Sequence, residues 1–170
     1  FRREKQSKVF LHLFTDGRDS TPYHGQQFLH ELRGHLLSHE KIATVMGRFY
    51  AMDRTKKWDR TEKAFNALVL GEGETSTSPQ AAITLSYNRG DSDEYIKPFV
   101  LKRKGKNLPL ISDNDSVIFF NLRSDRARQL AKADLTVAGL PLNSTNGSPS
   151  RFKIFWSRSL RSFINLLYII

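Results

Sequence analysis

The 170-residue sequence contains no cysteine, so it can form no disulfide and offers no thiolate as ligand or nucleophile. That fits a reducing compartment, here expected to be the cytoplasm. The charged start Phe1-Arg2-Arg3-Glu4-Lys5 is not followed by an apolar run, which argues against a secretory signal peptide. The first residue is not methionine, so the sequence reads as a piece of something longer. No serine lies in the strand–turn–helix G-x-S-x-G setting of an activated nucleophile. Internal repeats are also missing. Acidic residues are the minority, 17 against 27 lysines and arginines, for a formal charge of +10. Such an excess favours anionic partners: nucleic acid, acidic lipid or phosphorylated metabolites. Five basic residues and one acidic residue follow Ala131, which leaves the rest of the chain near +6. The basic run 102–106 has no interleaved aromatics for base stacking and reads as a solvated turn. Nucleic acid is therefore not the expected partner.

The length suits one domain, able to bury roughly 70% of its unfolded surface. Residues 8–14 (KVFLHLF) and 41–46 read as strands, and so does the apolar run 117–120. Thr21-Pro22 reads as a cap followed by proline at the first helical position, ahead of apolar residues at helical spacing. Ser78-Pro79 repeats that start signal. A helix is expected over about 58–70, a polar linker over 71–78, a poor or edge strand over 95–101 because of Pro98, and a helix from about Ser124. The alternation of elements gives an α/β fold, with a mixed, largely parallel sheet flanked by helices.

Arginines follow three of the strands. Arg18 and Asp19 follow the first, Arg48 and Arg54 the second, and Arg123 and Arg126 the run 117–120. Ligands of open α/β sheets bind beyond the carboxyl ends of strands. Guanidinium groups are planar, permanently charged and able to fork onto carboxylate or phosphate oxygens. Each arginine alone could equally be a solvated loop residue or a partner of Asp16, Asp53 or Asp125. Their recurrence at three strand ends points instead to a pocket for a small, multiply charged anion. Asp19 could accept a hydrogen bond from a ligand hydroxyl or exchange a proton with it.

Four segments carry a resemblance: HLFTDGRDSTP (12–22), GRFYAMDRTKKWDRTEKAF (47–65), DSDEYIKPFV (91–100) and DNDSVIFFNLRSDRAR (113–128). They resemble the cofactor-independent phosphoglycerate mutases, in that family's order and spacing. The resemblance implies two α/β domains. One is phosphatase-like, with two manganese ions and a transiently phosphorylated serine, and the other is an inserted substrate-binding domain. Residues 1–130 look like a partial insert domain lacking its first strand, and 131–170 like a divergent basic and apolar tail. Arg18, Asp19, Arg48, Arg54, Arg123 and Arg126 fall on the family's substrate-binding positions. The arginines would hold the phosphate and carboxylate of phosphoglycerate, and Asp19 would meet a glycerate hydroxyl and pass a proton. No bisphosphoglycerate cofactor is implied. The metal ligands and serine are expected on the phosphatase-like domain, the chain's implied partner, so this chain alone is expected to bind without turning over. A non-catalytic phosphometabolite-binding module is the alternative.

His35 and His39 have zinc-pair spacing but no third ligand in sight, and they read as a solvated helix face. His12 reads as a packed core position. The segment 151–170 puts apolar residues on one helical face near Arg158 and Arg161. Translated non-coding sequence is the favoured reading. An interfacial membrane helix or a segment packed on the domain are the others.

Overall fold

The computed structural model describes residues 8–112, 115–121, 124–137, 153–157 and 165–169. Strand β1 (Val9–Thr15) leads through helix α1 (Gly25–His35) to β2 (Glu40–Gly47). β2 runs directly into the single-turn helix α2 (Arg48–Ala51), a stretch the sequence suggested was loop. Helix α3 (Trp58–Phe65) widens into a π-helical turn, Asn66–Leu70. The expected helix over 58–70 is thus present, with a change of winding in its last five residues.

Strand β3 (Glu74–Ser76) lies within the expected linker, followed by α4 (Pro79–Asn88), β4 (Phe99–Arg103), β5 (Lys106–Asn107), β6 (Ser116–Phe120) and α5 (Ser124–Val137). Helix α4 starts as the sequence predicts: Ser78 Oγ accepts from the Ala81 amide, with Pro79 in the first turn. The strand expected at Tyr95 begins only at Phe99, because Asp93–Tyr95 forms a 3-10 turn. Two further strands, β7 (Lys153–Ser157) and β8 (Asn165–Ile169), fall where the helical-face reading of 151–170 lay. Their KIFWS and NLLYI sequences are rich in β-formers, and a strand places them in a ladder.

The described strands are ordered β3-β4-β2-β1-β8-β6-β7, with β5 on β4. β1 pairs parallel with β2, and β6 with β7, while β8 pairs antiparallel with both β1 and β6. β1, β2 and β6 therefore point the same way. Their carboxyl ends, which lead into the arginine-bearing segments, share one edge of the sheet. β4 runs antiparallel to β2, so the sheet is mixed.

Alternating side chains bury two cores. Leu11, Leu13, Val45, Phe99 and Leu101 pack with Leu29 of α1 and Ile83 of α4. Phe14, Met46, Val100, Val117 and Phe119 pack with Phe65 of α3 and Leu130 of α5. Helices on both faces make this an α/β sandwich. His12 is fully buried and shares a 2.8 Å hydrogen bond with Thr44 through Nδ1, the core position the sequence suggested. Burial holds its pKa down to about 3, so the ring is neutral.

Candidate anion site

The loop after β1 is shaped by its own polar groups. Asp16 Oδ1 accepts from the amides of Arg18 (3.1 Å) and Asp19 (3.0 Å), and Ser20 Oγ accepts from the Gly17 amide (3.1 Å). Gly17 has φ +66°, and a Cβ there would lie 2.6 Å from the Glu94 amide nitrogen. Glycine is required on both counts. The adjoining segment 92–96 binds the other loop as well: Thr15 Oγ1 donates to the Asp93 carbonyl (2.7 Å) and the Gly47 amide to the Ile96 carbonyl (2.7 Å).

Arg48 opens α2 with only 4% of its side chain exposed. Its Nη1 donates to Asp16 Oδ1 and, at 2.8 Å, to Asp19 Oδ2. Burial opposes the charged form of Arg48. Hydrogen bonds to Asp19 and Asp16, and their charges, outweigh it and raise the pKa above the ordinary arginine value. Its buried Nη2 has no hydrogen-bond partner among the described residues. Arg126 in the first turn of α5 approaches the same carboxylate, Nη2 to Asp19 Oδ2 at 3.5 Å, with a side chain 11% exposed. Its Nε is likewise buried and without a partner among the described residues. A buried guanidinium nitrogen with nothing to donate to is costly unless an anion completes it.

Asp19, Arg48 and Arg126 are therefore brought together, with Asp19 bridging the two cations. Arg54 and Arg18 pair with other carboxylates. Arg54 Nη1 donates to Asp125 Oδ2 at 2.9 Å with half of its side chain exposed, which ties its loop to the first turn of α5. Arg18 is 67% exposed, and its Nη1 lies 3.8 Å from Glu94 Oε1. Arg123 lies outside the described residues.

Sequence reasoning overlooked Asp93 and Gln129, and treated Asp16 only as a possible arginine partner. Asp93 is 1% exposed, and its Oδ2 accepts from the His24 (2.9 Å) and Gly25 (2.8 Å) amides at the start of α1. That carboxylate moves the helix start from the expected Thr21-Pro22 to Gly25, because it supplies the cap from elsewhere in the chain. Among the described residues no group of three or more histidines, aspartates or glutamates could hold a metal ion, and no helix is long and apolar enough to cross a membrane.

A family model described as the BPG-independent PGAM N-terminus matches residues 1–145. The chain belongs to this phosphoglycerate mutase family. The 2,3-bisphosphoglycerate-independent phosphoglycerate mutase of Thermomicrobium roseum is 52% identical over 136 residues, covering 78% of this chain and 26% of the relative. That of Clostridium novyi is 48% identical over 128 residues, covering 74% and 25%. A solved structure of Leishmania mexicana phosphoglycerate mutase at low cobalt concentration superposes with TM-score 0.67 and 26% identity, over 83% of this chain and 27% of that one. The chain thus spans about a quarter of the length of the mutases it matches.

Proposed function

We propose that this chain is the substrate-binding portion of a cytoplasmic phosphoglycerate mutase that interconverts 3-phosphoglycerate and 2-phosphoglycerate in glycolysis and gluconeogenesis. The reading is carried by the buried Arg48 guanidinium, whose Nη2 lacks a partner among the described residues beside Asp19 and Arg126, in a chain from a mutase family. Arg48 and Arg126, joined by Arg18, Arg54 and Arg123, hold the phosphate and carboxylate of the substrate. Forked guanidinium contacts match both groups, and hydrogen bonds to charged groups contribute roughly 1.5–3 kcal/mol each.

Asp19 bridges Arg48 and Arg126 in the free protein and turns to the glycerate hydroxyl when the anion arrives. Phosphoryl transfer requires a proton at each end. The C3 oxygen takes the proton that the serine hydroxyl of the phosphatase-like domain loses as it accepts the phosphoryl group. The C2 hydroxyl gives one up as it takes the phosphoryl group back, and the serine oxygen recovers one. Asp19 is positioned to accept the C2 hydroxyl proton and pass it on. In the family the phosphatase-like domain supplies the serine and two manganese ions. In this reading the chain's own share is to bind and orient the substrate and move the proton. No bisphosphoglycerate enters the scheme.

Titration of the chain with 3-phosphoglycerate tests this. Saturable binding is expected, with no isomerisation when manganese is added. Arg48→Lys, which keeps the charge and loses the fork, should weaken binding about tenfold, one hydrogen bond's worth. Wild-type affinity in that variant would remove Arg48 from the site. Isomerisation by the chain alone would show that the phosphatase-like domain is dispensable. A non-catalytic phosphometabolite-binding protein would bind in the same way, and would stay inactive when joined to a phosphatase-like domain of the family.

A further inference from the structure

The loop Met52–Lys57, which carries Arg54, and helix α5, which carries Arg126, meet at two depths. At the surface Arg54 donates to Asp125, and the two side chains are 49% and 40% exposed. Exposed ion pairs hold little. Beneath them lies Gln129, one helical turn beyond Arg126 and 7% exposed. Its Nε2 donates to Asp53 Oδ2 at 2.9 Å and to Thr61 Oγ1 at 2.7 Å, while its Oε1 accepts from the Lys56 amide at 3.1 Å. Both donors and the carbonyl of the carboxamide are engaged. Neither charged alternative meets that demand: a carboxylate would face Asp53 without a donor, and an ammonium would have no acceptor for Lys56.

The loop needs this support. Lys56 has φ +62°, a left-handed conformation that non-glycine residues adopt at a cost. Gln129 receives its amide in that conformation. Asp53 in turn binds the amides of Thr55 (3.1 Å) and Lys57 (2.9 Å). Gln129 therefore touches both ends of the loop that presents Arg54, from the helix that presents Arg126.

We infer that Gln129 is a positioning residue of the anion site. It clamps the Arg54 loop to α5, so that Arg54 can exchange Asp125 for a ligand while Arg126 stays beside Asp19. This rests on the reading of Arg48, Arg54 and Arg126 as the anion site. A glutamine that only stabilised the fold would lower stability without changing the affinity of the folded protein.

The test uses the 170-residue chain, 3-phosphoglycerate titrations and the arginine Nε–H resonances of the free protein. Gln129→Leu should move the Arg54 and Arg126 resonances before any ligand is added and weaken 3-phosphoglycerate binding about tenfold. Added to Arg54→Ala, the same substitution should cost less than about twofold more, because Gln129 holds the loop through which Arg54 acts. Where Gln129→Leu lowers the folded fraction, Thr61→Val removes a single acceptor and should move the same resonances less. Arg126 resonances unmoved in both variants would overturn the proposal. So would wild-type affinity in Gln129→Leu, or effects of Gln129→Leu and Arg54→Ala that simply multiply. If Arg48→Lys binds as tightly as wild type, the anion-site reading fails on its own account. The Arg126 resonances then still decide whether the clamp exists.

Discussion

Arg48 and Arg54 come from one eight-residue segment yet have different physical characters. Arg48 is 4% exposed, anchored from behind by Asp16 and from the front by Asp19. Arg54 is 49% exposed and holds one carboxylate across an open rim. The first is an organised cation: its position and charge are fixed before an anion arrives, and the ordering cost is met during folding. The second can change partners. An anion site assembled this way has a rigid floor and an adjustable rim.

The sharpest way to break the contrast is Arg48→Ala. It strands the Asp16 carboxylate in a buried position, which typically costs about 3–5 kcal/mol. Denaturant unfolding should show the loss, and 3-phosphoglycerate binding should vanish with it. A fall below about 1 kcal/mol would mean that Arg48 is no better anchored than Arg54.

A second test concerns pH and the buried groups. His12 has its pKa lowered by burial to about 3, against 6.5 when unfolded. The unfolded chain therefore binds the proton first. Stability from this group is complete above pH 6.5 and falls by about 1.4 kcal/mol per unit as pH drops from there towards 3. His12→Gln should flatten that slope in unfolding measured between pH 4 and pH 7. Asp53 adds to it at lower pH. Burial pushes its carboxyl up, but the Thr55 hydroxyl, the amides of Lys57 and Thr55, and the Gln129 carboxamide outweigh that and hold it below its ordinary value. Its contribution is present above the unfolded pKa and is lost as pH falls through the folded one.

The smallest effect belongs to the rim. Arg54→Ala should change stability by less than about 1 kcal/mol while still weakening phosphoglycerate binding. Asp125→Asn should change stability by less than about 1 kcal/mol, and raise rather than lower affinity by weakening its hold on Arg54. A large stability loss in either variant, read by thermal unfolding, would erase the distinction between floor and rim.

Much of this was legible before the structure. The three strands that end in arginine, the Ser78-Pro79 helix start and the core position of His12 all follow from local pattern. The family segments marked Asp19, Arg48 and Arg126, which do converge. What escaped is what distant residues decide. Nothing in Gly47–Arg54 says which arginine is buried, since that depends on Asp16 arriving from the previous loop. Thr21-Pro22 carries a helix-start signal, yet α1 begins at Gly25 because a carboxylate 68 residues further on accepts its amides. Gln129 has no motif of its own. The only clue was its place three residues beyond a site arginine, on the same helical face. The strand Glu74–Ser76 is hidden for the same reason, because its polar sequence gains a strand only by lying beside β4.

The Asp93 segment has a bearing on synthesis. It closes on the loops after both β1 and β2, and it caps the helix between them. A nascent chain that has emerged from the ribosome only as far as α4 carries Arg18 and Arg48 but not the piece that gives their loops a shape. Non-local closures of this kind come late and slowly. Affinity for the anion should therefore not grow with each arginine translated: the loops of Arg18 and Arg48 gain their shape together when the residues around 93 emerge, and Arg126 completes the site only with α5.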